Sequence, residues 1–269
     1  MCGGNIDMNI ITCIKQVPAS SDVKIDPETG AMIRDGKNTK MNPYDLYGLE
    51  IALMIKEQTG ANVKVISMGP PAATSVLEEA IWMGCDDGYL MTDRKFAGAD
   101  VVATSYTLSQ GIRFMGDYDL IICGKQTTDG DTAQVGAELA EHLNIPYACY
   151  VDKIIEVKEK SIVVRTNMDK TYETLEIKYP CLITVDKGSV TPRLPSYKRS
   201  VEYKDKEFHM VTFGDLPDQN EANYGLKGSP TQVERMFNPD RNTNKVVLNG
   251  TSEELVNKLT DILKEGKYL

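Results

Sequence analysis

Short apolar runs alternate with longer stretches of helical periodicity through the first half of the chain, and this alternation sets the expected fold. Met8 to Gln16 is a continuous apolar run ahead of Pro18, as expected of a strand buried on both faces. Val23 to Ile33 alternates around a Pro/Gly turn and predicts a small hairpin. Asn42 is placed as an N-cap with Pro43 at the first helical position, and apolar residues from Leu46 to Ile55 carry a helix to about Gln58, where Gly60 ends it. A strand over Asn62 to Met68 follows, then a helix from about Ala73 to Met83. A short strand at Tyr89 to Met91 precedes a helix from about Val101 to Phe114, with Asp100 as its cap, and a strand spans Asp119 to Cys123. Strands alternating with helices of this length predict a parallel sheet covered on both faces.

The junction after that last strand carries the strongest local chemistry. Gly124-Lys125-Gln126-Thr127-Thr128-Asp129-Gly130-Asp131-Thr132-Ala133-Gln134-Val135-Gly136 joins a strand to the helix over Ala137 to Leu143. Free backbone N–H groups and the positive end of a helix dipole converge at such a place and suit phosphate. The spacing is neither GxGxxG nor a Walker A loop, and no Walker lysine or general base supports ATP hydrolysis.

After Pro146 the pattern becomes β-rich: Ala148 to Lys158, Ser161 to Thr166, Tyr172 to Lys178 and Cys181 to Asp186 complete the sheet as hairpins. From Gly188 periodicity fades, and the Asn-, Asp-, Gly- and Pro-rich stretch to Asn249 reads as an arm laid on another surface. Helical periodicity returns over Ser252 to Lys264, capped by Thr251 or Ser252, with Leu255, Leu259, Ile262 and Leu263 on one face. The expected fold is thus α/β: a doubly wound, mostly parallel sheet extended by antiparallel hairpins, with a C-terminal arm and terminal helix. Residues 8–190 form its nucleotide-binding domain, and 191–269 the arm. Trp82, Met54 and Met83 are read as core.

Composition narrows the partners. With 269 residues, 41% of them hydrophobic, the chain can bury a sizeable core, and its net charge of −9 disfavours nucleic acid and anionic membranes. Six scattered cysteines without CxxC read as buried hydrophobes in a reducing cytosol, and His142 and His209 lack metal-ligand spacing. No apolar run reaches the ~18 residues of a membrane span, and Met1 to Asp7 lacks a signal peptide's features, so a cytoplasmic location is expected. Met8, where the strand pattern begins, is a candidate start.

Cys13-Ile14-Lys15-Gln16-Val17-Pro18, Asn42-Pro43-Tyr44-Asp45 with Glu50 and Ala52, Ser67-Met68-Gly69-Pro70 and Gly124-Lys125-Gln126 through Asp129, Asp131 and Gln134 occur together, in order. So do Arg165 to Glu173, Pro180 to Thr184 and Pro192-Arg193. In these motifs the chain resembles the β subunit of electron transfer flavoproteins over nearly its whole length from Met8. Asp129 to Gly136, with Phe96 to Asp100 and Ala103-Thr104-Ser105, resembles the electron-bifurcating branch of that family.

The resemblance implies FAD in this subunit, or AMP if the chain is of the non-bifurcating, scaffold type. It implies hydride transfer from NADH to the flavin, with no protein nucleophile or metal. One electron then passes to ferredoxin or flavodoxin, and the other through the FAD of an α subunit to an acyl-CoA dehydrogenase. The implied pocket lies across the carboxyl ends of the parallel strands. Cys13, Lys15 and Gln16 border the adenosine; Asn42 contacts it or supports it from behind, or only caps its helix. Ser67, Met68 and Gly69 allow close backbone approach. Phosphate falls to the backbone of Gly130, Thr132, Ala133 and Gln134 with the Thr132 hydroxyl, in a loop that also holds Gly124, Gln126, Thr128, Asp129, Asp131 and Val135. The two aspartates are expected to cap and shape the loop. Phe96, Ala103 and Thr104 flank the flavin ring or, alternatively, form a plain helix entry. Lys187 to Tyr203 resembles a dehydrogenase-docking loop, with Arg193, Leu194 and Tyr197 as its candidate contacts; its basic run is diluted by Glu202, Asp205 and Glu207. The alternative is a solvated loop against the α subunit.

Overall fold

The apolar runs form parallel strands and the periodic stretches cover them. The computed structural model describes residues 8–19, 38–232 and 245–269; the hairpin expected over Val23 to Ile33 lies outside them. The chain forms two compact units, Met1–Glu234 and Arg235–Leu269.

In the first unit, β1 (Asn9–Cys13) leads through β2 (Gln16–Pro18) and β3 (Thr39–Met41), a small antiparallel pair, into α1 (Pro43–Thr59). Gly60 ends α1 at φ 80°, a left-handed conformation that a side chain resists, and its N–H donates to Lys56 O. Then come β4 (Asn62–Met68), α2 (Thr74–Met83), β5 (Asp87–Met91), α3 (Val101–Met115), β6 (Leu120–Gly124) and α4 (Val135–Leu143). Asp100 caps α3, accepting from Ala103 N–H. The meander β7 (Tyr147–Val157), β8 (Ser161–Asn167) and β9 (Tyr172–Lys178) precedes β10 (Cys181–Val185), α5 (Tyr197–Glu202) and β11 (His209–Val211).

Among the described residues the main sheet has nine strands in the order β11-β5-β4-β1-β6-β10-β7-β8-β9. Every pairing from β11 to β7 is parallel, and β7, β8 and β9 are antiparallel. Helices α1 and α2 bury Leu49, Leu53, Leu77 and Ile81 in one core cluster, while α3 and α4 bury Leu108, Ile112, Leu139 and Ala140 in the other. The sheet is therefore doubly wound. Connections from β1 and β6 leave to opposite faces, which opens a crevice at the carboxyl ends of these neighbours.

Several expectations change. Cys181 to Val185 is no hairpin partner of β9: it returns to lie between β6 and β7, parallel to both and buried at all five positions. A continuous apolar run suits that interior slot. The stretch after Gly188 is also less separate than its composition suggests. β11 pairs with β5, and Phe213, Leu216 and Tyr224 are buried in the α3/α4 core cluster. Three residues of strand are too few to show a period. Met54 is exposed, not core, Trp82 is half-buried, and Met83 is buried as expected.

In the second unit, α6 (Ser252–Glu265) begins with a reciprocal cap in which Thr251 accepts from Glu254 N–H and Glu254 accepts from Thr251 N–H. None of its residues is buried, and Val256, Leu259 and Ile262 are exposed.

Candidate functional site

The carboxyl ends of β1 and β6 are locked together by the first turn of α1. Asn42 N–H donates to Lys15 O at 2.8 Å, which joins the end of the β1 segment to the helix start. Its side chain does not cap α1. The amide Nδ2 donates to Gln126 O at 2.9 Å, and Oδ1 accepts from Thr128 N–H at 3.3 Å. Asn42 is fully buried, so both bonds are made away from water, where leaving either unmade costs most. Among the readings of Asn42, the structure therefore favours support of the loop over a helix cap.

Asp45, one turn on, accepts from Lys15 N–H at 2.7 Å and from the Gly124 backbone. Burial raises its pKa to about 7, against the opposing pull of Asn42, Lys15 and the two backbone donors. Gly124 is dictated by the same contact: a Cβ there would lie 2.8 Å from the Tyr44 carbonyl carbon and strike the Asp45 carboxylate. Asp45 carries no role in the sequence reading. Its place three residues after Asn42 is the one local signal, whereas its burial is a tertiary property.

The loop from Lys125 is shaped by its own side chains. Lys125 Nζ pairs with Asp186 at 2.9 Å, and its N–H donates to Val185 O, which pins the loop's root to β10. Lys15 Nζ reaches Asp129 at 2.9 Å, with Asp129 nearly buried. Gln126 Nε2 donates to Asp131 Oδ1, and Asp131 N–H donates to Thr127 O. The two aspartates thus shape the loop as expected, but neither caps α4. Asp131 and Ala133 sit at φ 53° and 56°, a conformation that costs an alanine about 1 kcal/mol or more.

At α4 the cap position falls to Gln134, whose side chain makes no capping bond; α1 and α2 likewise start without one, while α3, α5 and α6 each have one from Asp100, Ser196 and Thr251. Gly130 N–H is turned inward to Thr127 Oγ1 at 3.4 Å. The amides of Thr132, Ala133 and Gln134 donate to no other described residue. Donors for an anion therefore begin at Thr132 and continue into the first turn of α4, at Val135 and Gly136, rather than at Gly130.

Cys13 ends β1 and Ser67 stands one residue before the end of β4, beside this crevice. Cys13 is half-buried beside Cys123 on the adjacent strand, and its hydrogen bond together with burial pushes the Cys123 thiol up, keeping it protonated. Among the described cysteines all are free. Ser67 is fully buried and its hydroxyl has no partner among the described residues. Met68 and Gly69 follow it, half-buried, with Gly69 N–H donating to Met91 O.

Phe96, Ala103 and Thr104 stand one strand farther out. Phe96 is buried against Tyr224, with ring centroids 5.8 Å apart, and Ala103 is buried as well. Thr104 N–H donates to Asp100 O as ordinary helix. The Phe96 ring thus serves the core here, in keeping with the plain helix entry.

Arg193 is committed too. Its Nε and Nη2 grip Glu50 at 2.9 and 2.8 Å, its N–H donates to Glu50 at 2.9 Å, and its Nη1 meets Glu57 at 2.6 Å. Leu194 and Tyr197 are 88% and 84% exposed. His209 stacks on Tyr89 and pairs with Asp87, and His142 packs edge-on to Tyr106. Among the described residues no group of three His, Cys, Asp or Glu is placed to hold a metal, and no helix is long and apolar enough to cross a membrane.

The arrangement offers a backbone anion cradle at α4, an unpaired hydroxyl on the adjoining strand and a rigid floor in α1. Residues 29–208 match the family model described as "Electron transfer flavoprotein domain". The electron transfer flavoprotein subunit beta of Clostridium acetobutylicum is 44% identical over 262 residues, covering 97% of this chain and 100% of that protein. The caffeyl-CoA reductase-Etf complex subunit CarD of Acetobacterium woodii is 41% identical over 260 residues, 96% of this chain and 98% of its own. Protein FixA of Sinorhizobium fredii is 37% identical over 262 residues, with 95% and 92% covered. With this fold, this loop and likeness from end to end, the chain belongs to the electron transfer flavoprotein family, among its β subunits.

Proposed function

We propose that the crevice between β1 and β6 holds the adenosine diphosphate half of FAD, and that the protein takes hydride from NADH and divides the electron pair. The observation that carries the reading is the uncapped start of α4 behind a loop held open at Asp131 and Ala133. The residues fit such a group: amides from Thr132 into the first turn of α4 meet phosphate, the Ser67 hydroxyl supplies a buried donor, and Gly69 admits close approach. When bound, FAD supplies hydride acceptance and one-electron transfer. The chain's part is to bind and orient. Lys15 neutralises Asp129 beside the phosphates, and Asn42 and Asp45 hold both walls.

Beta subunits of this family pair with an α subunit, and we assign the apolar face of α6 to that partner. Leu194 and Tyr197 are assigned to an acyl-CoA dehydrogenase that receives one electron through the α-subunit FAD; the other electron goes to ferredoxin or flavodoxin. Likeness to a subunit of a complex named for caffeyl-CoA reductase supports an acceptor that handles CoA thioesters. Anoxic addition of NADH to the purified αβ heterodimer tests the NADH arm. Bleaching of flavin absorbance within seconds is expected, whereas a spectrum unmoved by excess NADH would assign the chain to the AMP-bearing scaffold type.

A further inference from the structure

The exposed residues assigned to docking sit on a segment fastened at both ends by arginines. Arg193 enters the surface of α1, where its backbone N–H and two guanidinium nitrogens engage Glu50, which is only 6% exposed, and its third nitrogen reaches Glu57. A planar guanidinium gripping a carboxylate at several points fixes direction as well as position. Arg199, six residues on, closes the other end. Its Nε donates to Ile81 O at 2.7 Å and its Nη2 to Cys85 O at 2.9 Å, at the carbonyl end of α2, where a cation also meets the helix dipole favourably. The Tyr203 ring lies against its guanidinium at 4.6 Å. Between them Ser196 N–H donates to Trp82 O at 3.0 Å, and the Ser196 hydroxyl caps α5. Leu194, Tyr197 and Val201 protrude, exposed by 88, 84 and 59%, with the exposed charges of Lys198 and Glu202 beside them.

We infer that Arg193 and Arg199 are positioning residues, which touch α1 and α2 rather than the partner and hold Leu194 and Tyr197 as a prebuilt anchor for an apolar pocket on the acyl-CoA dehydrogenase. The inference rests on the docking role proposed above. It removes Arg193 from the contact surface. Its physical basis is that side chains and loops ordered before encounter do not have to be ordered during it, so the binding free energy goes into the complex. Losing the fastening therefore weakens docking even though every contacting side chain remains.

The test uses the FAD-loaded αβ heterodimer with purified butyryl-CoA dehydrogenase as the probe, reading KM and kcat for the dehydrogenase and the rate of tryptic cleavage after the exposed Lys198. Arg193→Ala alone strands a buried carboxylate and risks unfolding, so the neutral pair Glu50→Gln with Arg193→Gln is used beside it, with Tyr197→Ala as the contact variant. The neutral pair is expected to raise KM about tenfold with kcat within about twofold and to speed cleavage; Tyr197→Ala is expected to raise KM similarly without speeding cleavage. If the neutral pair changes neither KM nor cleavage while Tyr197→Ala raises KM, the positioning role is wrong and docking stands. Raised KM with unaltered cleavage would make Arg193 a contact residue and overturn the inference. An unchanged KM in Tyr197→Ala removes the docking reading, and the inference with it.

Discussion

Asp45 is the residue on which the crevice converges: the end of β1, the start of α1 and the root of the loop at Gly124 all meet its carboxyl group. Because burial lifts its pKa to about 7 from an ordinary 3.8, the native state keeps a proton that the unfolded chain gives up between those values. Its contribution is complete below about pH 4 and is lost as pH rises through 7, at most about 4 kcal/mol for a shift of this size. Urea unfolding of the wild type and Asp45→Asn across pH 4.5 to 8 measures the difference. The wild type is expected to lose stability relative to the variant as pH rises, and parallel pH profiles would show that Asp45 ionises as it does in water. Asn42 works at the same scale by a different route. A polar residue before Pro43 reads as a cap from sequence; only the fold, which brings Gln126 and Thr128 to its side chain, reveals its bonds to the loop.

Among the elements, the loop from Gly124 to Gln134 and α4 behave as one unit. Asp129 and Asp131 face Lys15 and Gln126, and this leaves the amides from Thr132 onward for a ligand. Gly130 has room: a Cβ there would meet only Thr127 Oγ1 at 3.5 Å. Because its N–H is turned to Thr127 Oγ1 and the anion donors begin at Thr132, Gly130→Val is expected to change folding stability by less than about 1 kcal/mol and to leave nucleotide content of the purified heterodimer within about twofold. A severalfold loss, read by absorbance of the released nucleotide, would bring the phosphates against Gly130 instead. Sequence shows the elements whose signals are local. Pro43 and Gly60 bracket α1, Asp100 opens α3, Thr251 with Glu254 opens α6, and the apolar runs of β1, β4 and β6 stand out. It does not show the insertion of β10 between β6 and β7, since pairing order is nonlocal, nor β11, which is short and depends on β5 for its partner.

Across the whole molecule, the doubly wound sheet sets the crevice at the reversal beside β1, and α1 runs from that crevice to the arginine-fastened segment. Its first turn holds the loop from Gly124 through Asn42 and Asp45, and its middle and last turns hold Arg193 through Glu50 and Glu57. Of the candidate site, Lys15, Asn42 and the Gly124 to Gln134 loop are legible in sequence and brought into contact by the fold. Phe96 and Arg193 differ for a common reason: an aromatic or an arginine in a motif gives no sign of whether it faces outward or is spent on packing, and here Tyr224 and Glu50 take them up. The central claim, that this β subunit holds a flavin of its own, is tested most directly by counting nucleotides released from the purified αβ heterodimer. Two FAD and no AMP per heterodimer is the predicted result; one FAD with one AMP would contradict it.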